Sequence, residues 1–291
     1  MDEALVLSRL LHFTATFLLL GISAFLWKIA PGSLAGRLET QLRPLLRLSL
    51  VVAVVTALSW LVLVAWSMGE GLAELGQAGL MQTVLLDTGF GHAWLVRLGL
   101  IALLIATVAL SQDYGSFTVV AASALVVASL GPVGHAAMES GVMAVLHAFN
   151  HAAHLTTAGL WVGGLVPLAV VLGQCRTSGE DGAALNALRR FSGVGHAIVA
   201  LVVATGAINT WFILGGWPIN VESRYQAMLL AKIGVVVVMT LLAIINRYVL
   251  LPRFEGSRRV PRLLYCNTLV EVFLGFLAIG LVSYFATVEP A

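Results

Sequence analysis

Apolar residues run along the chain in long, unbroken stretches separated by short polar clusters. Each stretch is comparable to the roughly 18–25 residues that cross about 30 Å of hydrocarbon as a helix. Eight such runs are found, at about 5–27, 48–66, 93–111, 116–134, 144–172, 194–214, 226–247 and 264–286. They are continuous and do not alternate at every second position, which excludes a transmembrane β-barrel. The pattern predicts an all-α, polytopic membrane helix bundle of eight transmembrane helices, a single membrane domain over 1–291. The fifth run is long enough to tilt, and Gly163, Gly164 and Pro167 are places where it would bend. Between runs two and three, over about 67–91, Leu72, Leu75, Met81, Val84 and Leu85 recur at helical spacing, which predicts a short interfacial helix. No strong internal repeat, low-complexity tract or domain linker stands out.

Basic residues set the orientation. The connections after spans one, five and seven hold Lys28, Arg37, Arg43 and Arg47; Arg176, Arg189 and Arg190; and Arg253, Arg258, Arg259 and Arg262. The connections after spans two, four and six hold only Arg224, and that side carries Asp2, Glu3, Glu70, Glu74, Asp87, Glu139, Glu222 and Glu289. Both termini are therefore expected on the outer side. The acidic start of span one and its lack of a small-residue cleavage site predict a retained helix, not a signal peptide.

Composition agrees. Of 291 residues 59% are hydrophobic and 10% charged, and the mean hydropathy is +0.97. A soluble domain carries about 25% charged residues, so this chain cannot cover a water-soluble globule. A net charge of +2 leaves no basic footprint for nucleic acid, and two cysteines make no disulfide framework. No phosphate-binding loop, nucleophile elbow, H-E-x-x-H helix or C-x-x-C-H haem attachment is present. The chain is expected not to be an enzyme, and any transport by it does not spend ATP through this polypeptide.

Polar groups inside hydrocarbon are costly, so each needs a reason. Six of the seven histidines map to the outer half: His12, His92, His135, His147, His151 and His154, with His196 on the other side. His147, His151 and His154 are spaced i, i+4, i+7 and form a ladder on one helix face, in which adjacent rungs are able to share a metal. Imidazole suits copper, zinc, iron or nickel, and nearby thioethers shift the choice toward Cu(I). Met138 follows His135 by three residues and Met143 precedes His147 by four. The competing reading treats these histidines as helix-interface donors. Glu271 is the only carboxylate deep in a span, and Lys232 and Arg97 are its candidate partners, in an ion pair or a relay. Arg97 and Lys232 also fit a simpler role, snorkelling to the interface. Cys175 and Cys266 lie at the cytoplasmic ends of their spans, where inert thiols are the simplest reading.

The segments HAFNHAAHLTTAGLWVGGLVPLAVVL (147–172), RFSGVGHAIVALVVATGAINTWFILGG (190–216) and YQAMLLAKIGVVVVMTLLAIINRYVLLPRF (225–254) resemble the bacterial CopD copper-resistance family. So does the final helix, with Glu271 followed by LGFLAIGLVSYFATVEPA. The likeness is strongest over 147–288 and extends more weakly forward to TVLLDTGFGHAWLVRLGL and LHFTATFLLLG. His147, His154, Trp161 and Glu271 match family positions, whereas His151 stands where an acidic residue is common. The resemblance implies an eight-helix protein of the bacterial inner membrane that handles copper and moves it from periplasm toward cytoplasm. It often works with a periplasmic CopC-like copper-binding protein.

The expected function is thus a copper permease. Copper is captured at His135, Met138 and Met143, passed to His147, His151 and His154 with help from His12, and moved inward near Glu271. One alternative is a b-type cytochrome in which His12 and His151 or His154 ligate haem. Another is a membrane partner or sensor that binds copper without transporting it.

Overall fold

The computed structural model describes residues 2–69, 78–134, 140–178, 182–218, 220–254 and 259–288. Among these the chain forms nine α-helices and no strand. They are α1 (Asp2–Ala24), α2 (Gly32–Met68), α3 (Ala78–Asp87), α4 (Gly89–Ser111), α5 (Phe117–Ala128), α6 (Gly141–Ser178), α7 (Gly182–Leu214), α8 (Arg224–Ile245) and α9 (Val260–Phe285). Five-residue π-turns extend α1 through Phe25–Ile29 and α8 through Asn246–Leu250.

Seven of the nine are long and apolar enough to cross a membrane. The fourth expected span is the exception. It is an apolar helix of only 12 residues, α5, which continues as turns to residue 134. At 1.5 Å per residue it covers about 18 Å, well short of the hydrocarbon thickness. Gly131 and Pro132 explain the early stop, since proline lacks an N–H and disfavours helical geometry in the residue before it. Several other helices outrun their apolar stretches. α2 begins at Gly32 and carries a Glu39–Arg43 ion pair of 2.9 Å on its polar first turns. The expected interfacial helix is present as α3, with Val84 buried; Leu72 and Leu75 lie outside the described residues.

α1 and α6 form the centre. In their apolar windows 67% and 72% of residues are buried, against 11% in the span that begins with α8. They run parallel, because Phe17 lies against Gly159 and Gly21 against Gly163. A Cβ on Gly21 would sit 2.4 Å from the Gly163 backbone, and one on Gly163 would sit 2.0 Å from the Phe17 carbonyl oxygen. Only glycine permits that approach, the small-residue contact by which helices associate without a hydrophobic driving force. Around this pair the packing is reciprocal. α2 packs on α1 as α7 packs on α6, α5 packs on α4 as α9 packs on α8, and both α5 and α9 touch both central helices. Leu48, Val51, Val55, Leu58 and Val62 form an exposed apolar stripe on α2, the side such a helix turns to lipid.

Candidate functional site

Three groups of hydrogen-bonded polar side chains lie inside the bundle. The first lies between α6 and α7. His154 is buried, and its Nδ1 is 3.0 Å from Thr205 Oγ1. The Thr205 hydroxyl itself donates to the Leu201 carbonyl at 2.5 Å, so toward His154 it accepts. The proton therefore sits on Nδ1, and the lone pair is left on Nε2, the nitrogen through which imidazole would ligate a metal. One turn toward the α6 amino terminus, Asn150 Nδ2 donates to the Thr205 carbonyl at 2.9 Å and to Asn209 Oδ1 at 2.8 Å, tying the two helices together. Gly206 leaves room for the imidazole, which lies 3.2 Å from where its Cβ would be. The rings of His147 and His151 are 6.4 Å apart, and His147 stacks on Phe212 at 4.9 Å. Lys232 of α8 and His151 both lie within electrostatic range of His154.

The second place joins α1, α2, α4 and α5. His12 is fully buried, and its Nδ1 is 2.8 Å from Thr56 Oγ1, whose hydroxyl donates to the Val52 carbonyl at 2.6 Å. Here too the proton is on Nδ1, but the Nε2 lone pair is taken: Arg97 Nε donates to it at 3.1 Å, and Arg97 Nη2 also contacts it. Arg97, likewise fully buried, donates from Nη1 to the Val126 carbonyl and to Ser129 Oγ, both at 2.8 Å. It thus caps the end of the short helix α5, where a cation complements both the exposed carbonyls and the helix dipole. Trp60 packs edge-on to His12 and also carries the Arg9 guanidinium over its ring, 5.1 Å from the centroid. Arg9 Nε and Nη1 are buried without a hydrogen-bond partner among the described residues. A second positive group therefore lies close to His12.

The third place lies toward the arginine-rich end, at the π-turn of α8. Glu271 is buried and accepts from Asn246 Nδ2 at 2.6 Å, and Asn246 Oδ1 accepts from Asn267 Nδ2 at 2.8 Å. Asn246 opens the π-turn, a local widening that often marks functional positions. The same turn sends Arg247 to Ser192 Oγ at 2.8 Å and brings Tyr248 OH within 2.8 Å of His196 Nε2.

This geometry redistributes the residues singled out by spacing. Arg97 and Lys232 are not the partners of Glu271: Arg97 serves His12 and α5, Lys232 lies near His154, and Glu271 bonds to an asparagine. His12 is at the depth of His154, by the Gly21–Gly163 register, yet it belongs to a different group of helices. Met143 is 59% exposed, and His92 is exposed with its Nε2 2.7 Å from the Leu86 carbonyl. His135 and Met138 lie outside the described residues. No group of three His, Cys, Asp or Glu side chains converges as a metal site among the described residues. The threonines and asparagines that orient the histidines were not singled out by spacing. Their signal is a hydroxyl or amide facing a histidine from the next helix, and a single sequence does not display it.

Comparison with known proteins completes the picture. The copper resistance protein D-like N-terminal domain profile matches residues 1–145, and the copper resistance protein D profile matches residues 185–285. The chain is 32% identical to inner membrane protein YebZ of Escherichia coli, with 97% of each chain covered. It is 28% identical to copper resistance protein D of Pseudomonas syringae pv. tomato, over 99% of this chain and 97% of the relative. It is 27% identical to copper transport protein CutJ of Bacillus subtilis, over 77% of this chain and 42% of that longer protein. No solved structure matches. Seven membrane-spanning helices, buried histidines on the central helix and both profile matches lead to one conclusion: the chain belongs to the copper resistance protein D family of multi-pass inner-membrane proteins.

Proposed function

We propose that this protein binds copper at the α6–α7 interface and moves it from the periplasm toward the cytoplasm, with both termini on the periplasmic side. The observation that carries the reading is the orientation of His154. Thr205 accepts its Nδ1 proton and leaves the lone pair on Nε2, with His151 of the same helix within electrostatic range. Hydrogen-bonded positioning of this kind is how a metal-ligating imidazole is held ready. The family supplies the identity of the metal, since relatives are named for copper resistance and copper transport. Met143, with His135 and Met138, is the proposed point of capture, and a CopC-like periplasmic protein is the proposed donor. Glu271 with Asn246 and Asn267 is the polar station nearer the arginine-rich end, where the ion leaves. The chain acts as a carrier and not as an enzyme.

His12 drops out of this path, because a metal there has to displace Arg97 and would face Arg9 as well. The same occupancy argues against haem held between His12 and His151 or His154. Copper accumulation in cells expressing wild type, His147→Ala or His154→Ala tests the reading. Lower accumulation by the variants at equal membrane abundance is the expected result. Equal accumulation would overturn it, and copper binding without uptake in proteoliposomes would leave only a sensor or partner role.

A further inference from the structure

The two histidine centres are built on one plan. His12 precedes Gly21 by nine residues, and His154 precedes Gly163 by nine; those two glycines meet where the parallel helices touch. Four residues before each histidine a polar side chain donates to the carbonyl of the facing threonine: Ser8 to Thr56 at 3.2 Å, Asn150 to Thr205 at 2.9 Å. Both threonines return their hydroxyl to the carbonyl four residues earlier and accept from histidine Nδ1. Equivalent residues in mutual contact, with reciprocal helix packing around them, are the mark of a tandem repeat about a pseudo-two-fold axis.

The repeat extends to the cations. Arg97 stands two residues before Gly99 in WLVRLG, and Lys232 two residues before Gly234 in LLAKIG. Trp94 and Leu104 flank Arg97 as buried neighbours, and Leu229 and Met239 occupy the same offsets around Lys232. Arg97 reaches its histidine and holds Nε2. Lys232 lies within electrostatic range of His154. We propose that Lys232 is a specificity-determining residue of the copper site, the counterpart of Arg97, whose ammonium competes with the metal for the Nε2 of His154. The amino-terminal centre is then the closed form of the same device. A guanidinium has a longer reach and several donors, and it holds its imidazole permanently. An ammonium with a single flexible reach yields to copper.

This inference rests on the copper reading, and one experiment separates the two. Copper(I) affinity is measured by competition with a chromophoric chelator on purified, full-length protein for wild type, Lys232→Arg, Lys232→Met and His154→Ala. Lys232→Arg is expected to weaken binding at least tenfold and Lys232→Met to tighten it several-fold, opposite shifts that a merely structural lysine does not produce. If His154→Ala abolishes binding while both lysine variants bind as wild type, the role of Lys232 is overturned and the copper site stands. If His154→Ala binds as wild type, the copper reading itself fails. Should Lys232→Arg misfold, Lys232→Met decides alone, and unchanged or weaker binding overturns the proposal.

Discussion

Thr205 and Thr56 make the same hydrogen bonds with their histidines, and what sets His12 apart is the Arg97 guanidinium that donates to its Nε2. Removing either hydroxyl takes away one buried acceptor, at a cost of about 1 kcal/mol of stability. The functional consequences diverge. Thr205→Val releases the proton on His154 Nδ1 from its acceptor, and copper affinity is expected to fall roughly 10–100-fold, the range for loss of a partner that orients a ligand. Thr56→Val leaves copper affinity at the wild-type value, because the Arg97-held His12 is outside the path. Isothermal titration of the two variants beside wild type checks the contrast, and equal losses would refute it. The i, i+4, i+7 histidine spacing was legible in the sequence because it lies within one helix. Which nitrogen each imidazole presents was not, because that depends on threonines from other helices, 44 and 51 positions away in the chain. The partner of Glu271 is hidden from the sequence for a similar reason. Charge suggested Lys232 or Arg97, whereas the π-turn of α8 delivers Asn246.

At the scale of the helices, hydropathy identified the spans because the bilayer imposes a length and an apolar surface on each one. It overestimated α5, since the run 116–134 carries no charged residue and only Gly131 and Pro132 signal that the helix stops. The cost of stopping inside the bundle is offset by Arg97, which satisfies the Val126 carbonyl. Arg97→Met is therefore expected to lower the melting temperature markedly while copper affinity, measured on folded protein, is retained. The α1–α6 contact depends on glycine. Gly163→Leu places a side chain against the Phe17 carbonyl and should cost about 1–3 kcal/mol or more from overpacking. Gly99→Leu, where a Cβ meets nothing within 4 Å, should be close to neutral. Thermal unfolding in detergent compares them, and similar melting temperatures would count against the proposed central pair.

For the molecule as a whole, the distribution of arginines predicts the orientation and the packing reveals the repeat. The repeat was invisible in the sequence because its conserved content is a handful of polar positions inside apolar helices, where most residues are interchangeable Leu, Val and Ala. With Cys175 and Cys266 replaced by serine, a cysteine at exposed Glu222 is expected to react with a membrane-impermeant thiol reagent in spheroplasts, and one at exposed Gly182 is expected to be protected. The reverse pattern would invert the transport direction proposed above. The central claim is that, of two centres built alike, only the carboxy-terminal one is open to copper. Elemental analysis of copper per polypeptide in purified wild type, His154→Ala and His12→Ala tests it most directly. The account predicts that His154→Ala loses bound copper while His12→Ala retains it at the wild-type ratio. Copper retained by His154→Ala and lost from His12→Ala would contradict it.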